Sequence, residues 1–246
     1  MDGNFLIIVL LIFLLAGAVK GMIGLGLPTV SLALLTLVTD LPHAMTLLLV
    51  PSLFTNLWQA AVGGYGKEIW CRFWPFLLAC AAMIWPSSAL LRIVDLWQLT
   101  ALLGGLLLVY GVTSLAGCRL KVARPQERWA GPVLGAINGI LTGMTGSFVV
   151  PGVLFLQAID LPRNFLIQAM GTLFAVSTVS LAVAMRGQGY LTMDNGLVSI
   201  AGLIPAIVGM WLGQRFRDRL SDDLFKKMFY SALLIVGVYI VIRAVW

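Results

Sequence analysis

The amino-acid sequence predicts an all-α polytopic membrane protein built from two inverted-topology repeats, each with a broken, re-entrant first segment followed by three spanning helices. Three observations lead there: an apolar composition, a duplicated set of landmarks, and the distribution of basic residues among the loops.

Sixty per cent of the 246 residues are hydrophobic and 11% are charged, against about 25% charged in soluble domains. The mean hydropathy is +0.99. Apolar segments near or above the ~20 residues that cross a bilayer run over 5–38, 44–63, 73–91, 97–117, 131–159, 165–185, 195–213 and 225–246. No room is left for a separate soluble domain. The stretch from Phe5 reads as retained, because "MDGN" lacks the basic region of a signal peptide. A net charge of +6 would suggest nucleic acid in a soluble protein. Here the basic residues sit in short loops and report topology instead, so no nucleic-acid partner is expected. Cys71, Cys80 and Cys118 form no CxxC or Cys/His spacing, and neither metal nor cofactor is expected.

The two halves share landmarks in the same order. "GAVKG" (17–21) matches "GAING" (135–139), "DLP" occurs at 40–42 and 160–162, and "LLVYGV" (107–112) parallels "LIVGVY" (234–239). The basic connection "GCRLKVARPQERWAG" (117–131) lies between them, giving a first membrane repeat over 1–120 and a second over 121–246.

The opening segment of each half has an awkward length. As one helix, residues 5–38 would measure about 51 Å at 1.5 Å per residue, well beyond a ~30 Å hydrocarbon core. "GMIGLGLP" interrupts the segment near its middle, where glycine and proline weaken helix continuity. "GILTGMTGSFVVP" does the same in 131–159. A hairpin that enters the membrane and returns fits both.

Loop charges favour that arrangement. With both segments returning, Lys67, Arg72, Arg119, Lys121, Arg124, Arg128, Arg163, Arg215, Arg217, Arg219, Lys226 and Lys227 lie inside, and only Arg92, Arg186 and Arg243 outside. Eight plain crossings would split the same residues almost evenly, against the positive-inside rule. The returning arrangement puts both termini outside.

Broken segments at matching positions of inverted repeats mark a transporter, with the site near the midplane where they meet. Unwound backbone there exposes N–H groups and partial positive charge that favour an anion. Lys20 adds a formal charge to the first motif, and no carboxylate in the same apolar run neutralises it. Its counterpart is Asn138. A lysine that snorkels to the interface is the competing reading and stays open at this stage. Polar residues recur at helical spacing in 44–63 (Ser52, Thr55, Asn56, Gln59) and in 165–185 (Gln168, Thr172, Ser177, Thr178), and decorate the second motif as Thr142, Thr145 and Ser147. Such groups bind an oxyanion or bond neighbouring helices. Glycines at this spacing also pack helices closely. His43, the one histidine, reads as structural. "GMIGLG" lacks the βαβ setting of a nucleotide motif, and no catalytic set or HExxH is present, so an enzyme is not expected.

The motifs "GAVKGMIGLGLP" and "GAINGILTGMTGSFVVP", each followed by "DLP" and a polar-flecked helix, resemble the TauE/SafE family of sulfite and organosulfonate permeases over about residues 10–240. The resemblance implies a bacterial inner-membrane transporter of sulfur-containing anions driven by the proton gradient, with binding positions at Gly21, Gly24, Gly26 and Pro28 and at Gly139, Gly143, Gly146 and Pro151. The expected substrate site therefore comprises Lys20, Gly21, Gly24, Gly26, Asn56, Asn138, Gly139, Gly143, Thr145, Gly146, Ser147 and Gln168. The expected partners are a small anionic substrate and the lipid bilayer, with a homodimer allowed. The alternative is a passive anion channel of similar architecture.

Overall fold

A computed structural model describes residues 3–117, 121–217 and 222–246. The chain there is helical, in the order α1 (Gly3–Ile23), α2 (Leu27–Val38), α3 (Leu41–Leu47), α4 (Leu49–Ala61), α5 (Gly66–Ser88), α6 (Leu96–Leu115), α7 (Arg124–Thr145), α8 (Gly152–Ala158), α9 (Arg163–Gly187), α10 (Met193–Arg217) and α11 (Asp222–Val245), with a 3-10 turn over Ala89–Arg92. Cys118, Arg119 and Arg219 lie outside the described residues.

Both awkward segments are broken where glycine and proline cluster. α1 ends at Ile23, and α2 restarts at Leu27 with Pro28 in its first turn. Between them Gly26 takes φ 108°, a backbone conformation that L side chains rarely adopt. α7 stops at Gly146, φ 73°, and α8 resumes after Pro151. The return arms are short. At 12 residues, α2 reaches only about 18 Å.

The ends of the second broken segment meet: the Val122 amide donates to the Ala158 carbonyl (2.9 Å), so this segment returns to the side it entered. In the first, Arg243 at the end of α11 donates to the Leu37 carbonyl near the end of α2 (2.6 Å).

Among the described residues six helices are long and apolar enough to cross a membrane, namely α1, α5 with its 3-10 extension, α6, α9, α10 and α11, and α3 with α4 is apolar and long enough as a pair bent by 46°. Segment 44–63, expected as one helix, is thus two. Pro51 explains the bend, since it has no N–H for the carbonyl four residues back. That carbonyl, on Leu47, accepts from Ser199 Oγ (2.7 Å), and the Ser199 Oγ in turn accepts from the Val50 amide (3.1 Å). A buried serine of α10 thus occupies the gap in α4.

The long helices pair through glycine seams that join the two halves. On α1, a Cβ at Gly17 or Gly21 would collide with the carbonyls of Ala206 or Met210; on α10, one at Gly209 or Gly213 would collide with those of Leu14 or Ala18. Residue numbers rise together, so α1 and α10 run parallel. α7 lies parallel to α5 in the same manner, Gly135 against Phe76, Gly139 against Cys80 and Gly143 against Ile84. α6 and α11 run antiparallel, Gly104 facing Gly237 and Gly111 facing Leu234. Small residues permit this approach, and dispersion over the seam supplies the attraction in lipid, where no hydrophobic effect drives helices together.

Candidate functional site

Lys20 sits in the last turn of α1, just before the first break. It is 3% exposed and does not reach for an interface. Its Nζ donates to Thr55 Oγ1 (3.2 Å) and to Asn56 Oδ1, both on α4. None of the described ion pairs includes Lys20. Asn56 and Ser52 are fully buried one turn apart on α4, which places them on one face. Lys20 occupies the amide oxygen of Asn56, and among the described residues neither Asn56 Nδ2 nor Ser52 Oγ has a hydrogen-bond partner. Buried polar groups are nearly always paired, and leaving one unpaired costs about 1–3 kcal/mol. Two such groups beside the Lys20 amino group form a patch of hydrogen-bond donors without an acceptor among the described residues. The α1–α2 break is tied to the patch by Gln59, whose Nε2 donates to the carbonyls of Gly24 (2.9 Å) and of Ile167 on α9 (2.7 Å).

The second motif is arranged differently. Asn138 on α7 accepts from the Gly152 amide at the start of α8 (2.9 Å) and donates to Cys80 Sγ (3.4 Å), which lies 3.5 Å from Ser177 Oγ on α9. Its side chain therefore holds the second break together. Thr145 Oγ1 donates to Leu141 O (2.7 Å) and accepts from the Ser147 amide (3.2 Å), and Thr142 donates to Ser147 O (2.8 Å). These groups finish the end of α7 around Gly146.

The other expected positions are placed as follows. Gly24 and Gly26 form the first break, whereas Gly21, Gly139 and Gly143 lie in the glycine seams with carbonyls against their Cα atoms. Gln168 on α9 accepts from the Tyr65 amide (2.9 Å) and donates to Ala60 O (2.7 Å), fixing the turn after α4. Lys20 and Asn56 are thus brought together, and Asn138, Thr145, Ser147 and Gln168 have partners within the fold. Ser52 and Gln59 gain weight only here; their helical spacing was the one available signal. Nothing in the sequence marks Cys80 as a neighbour of Asn138. Among the described residues no group of three His, Cys, Asp or Glu could hold a metal ion.

The model of the family described as sulfite exporter TauE/SafE matches residues 9–240, nearly the whole chain and both broken segments. The chain belongs to the TauE/SafE family. Comparison with curated proteins and with solved structures finds no match. As a TauE/SafE protein it is a multi-pass membrane permease, and the membership implies transport of sulfur-containing anions.

Proposed function

We propose that this TauE/SafE protein is a proton-linked secondary transporter of a small sulfur oxyanion (sulfite, thiosulfate or an organosulfonate) in the bacterial inner membrane, and that the anion binds on Lys20, Ser52 and Asn56, with Thr55 holding the lysine in place. The observation that carries the reading is the pair of unpartnered buried groups, Ser52 Oγ and Asn56 Nδ2, beside an ammonium with no described carboxylate. All three can donate a hydrogen bond, and an anion is the occupant that would accept them.

Two repeats, 1–120 and 121–246, related by inversion support alternating access. Parallel pairing of α1 with α10 and of α7 with α5, and antiparallel pairing of α6 with α11, together with the short stretch of sequence between α5 and α6 and the four residues between α10 and α11, favour opposite directions for α1 and α7. Both termini then face the periplasm. The patch is sealed from solvent, so an anion reaches it when the halves rock apart. A desolvated lysine is costly to hold charged without a counter-ion, which links arrival of an anion to arrival of a proton.

The test is uptake into proteoliposomes. Lys20→Ala is expected to abolish saturable uptake of sulfite, thiosulfate and sulfoacetate driven by a pH gradient, with expression and membrane insertion retained. Unchanged uptake of every anion would sink the role of Lys20. Non-saturable flux that follows voltage alone would show a channel instead.

A further inference from the structure

α5 and α7 are sealed by their glycine seam, but a groove of about 860 Å³ opens where their N-terminal ends part. Three arginines line it: Arg72, Arg124 and Arg128. Arg72 is committed, its Nε and Nη2 bonded to the two carboxylate oxygens of Glu127 (2.9 and 2.7 Å). Arg124 and Arg128 are exposed and have no carboxylate partner among the described residues, so the groove keeps a net positive face.

The rest of the groove is not built for a freely soluble ion. Trp74 lines it, and Trp70 and Trp129 flank it, all more than half exposed; such aromatic clusters mark the headgroup level. Its floor is apolar, formed by Phe76 and Phe155 with ring centroids 5.1 Å apart. Pro75 and Pro132 each stand inside a helix and line the groove. Lacking N–H groups, they leave the carbonyls four residues back, on Cys71 and Arg128, without a helical donor. Cys71 and Arg128 line the same groove.

We propose that this groove is a binding site for an anionic phospholipid of the phosphatidylglycerol type, its phosphate on Arg124 and Arg128, its headgroup hydroxyls donating to the freed carbonyls, and its acyl chains leaving along Pro75 and Pro132. Cation, acceptor and apolar wall occur together here, in the order an amphiphile presents them. This site is separate from the Lys20 patch and does not depend on what the protein transports.

The experiment uses the full-length protein purified in detergent, titrated with phosphatidylglycerol, phosphatidylcholine or inorganic phosphate and read by native mass spectrometry and thermal melting. Phosphatidylglycerol is expected to remain bound and raise the melting temperature, whereas the other two leave it unchanged. R124Q/R128Q is expected to weaken retention about tenfold or more, since each basic side chain contributes substantially at a lipid headgroup. R124K/R128K, which keeps the charge, is expected to retain the lipid within about threefold. Should the double glutamine variant fold poorly, R124Q and R128Q alone are each expected to weaken retention about threefold. Equal retention of phosphatidylcholine, unaltered binding in the glutamine variants, or equal loss in the lysine variant would overturn the proposal. An equal response to inorganic phosphate would instead show a soluble-anion groove.

Discussion

Lys20, at the end of α1, and Asn56, within α4, are joined by a hydrogen bond from Nζ to Oδ1 across 36 positions of sequence. That bond does more than hold two helices together. It fixes which way the amide faces and turns Nδ2 toward a place with no acceptor. Among the described residues neither that amide nitrogen nor the Ser52 hydroxyl has a partner.

A carboxylate at position 56 would supply the missing negative charge permanently. Asn56→Asp is therefore expected to raise the melting temperature in detergent, since it gives the buried lysine an opposite charge in place of a neutral amide oxygen. Anion uptake is expected to fall at least tenfold, because the lysine is already neutralised. Wild-type uptake in this variant would place the anion elsewhere.

Ser52→Ala removes an unpartnered buried hydroxyl. Without anion, the variant is expected to melt at or above the wild-type temperature, as the unsatisfied group costs about 1–3 kcal/mol. KM should rise roughly tenfold, the equivalent of one lost hydrogen bond of about 1.4 kcal/mol. Gain of stability with loss of affinity distinguishes a ligand from a structural serine; a drop in melting temperature with unchanged KM would exclude the binding role.

Gly139 meets the Cys80 carbonyl in the α5–α7 seam. Gly139→Ala is expected to destabilise the protein by about 1–3 kcal/mol through overpacking, seen as a lower melting temperature and less monodisperse protein. If uptake per folded molecule fell while melting stayed unchanged, the position would act on substrate rather than on packing.

Ser199 bonds both Leu47 and Val50 at the bend before Pro51. Ser199→Ala leaves a buried carbonyl and an amide unpaired and is expected to cost about 1–3 kcal/mol. Ser199→Thr keeps the hydroxyl and is expected to recover part of the loss. Equal melting of the alanine variant and wild type would mean that the bend needs no partner.

Some of this was legible in the chain and some was not, for identifiable reasons. The breaks at Gly24–Gly26 and at Gly146–Pro151 lay where glycine and proline interrupt apolar runs, because the cause is local. The bend at Leu48 was missed, although Pro51 was visible. Proline within a hydrophobic helix is tolerated or bent according to what its freed carbonyl finds, and Ser199 is distant in sequence. Gly21, Gly139 and Gly143 carried a spacing shared by ligand loops and helix seams, and only the opposing helix tells them apart.

Hydropathy, repeated motifs and loop charge sufficed to establish a membrane-embedded helical chain with two broken segments, since each depends on composition within one stretch of residues. Tertiary structure decided how the halves interlock, which glycines pack and which way Lys20 turns. The reason is physical: a charge within lipid either snorkels or finds partners, and Thr55 and Asn56 lie on a helix that only folding brings alongside.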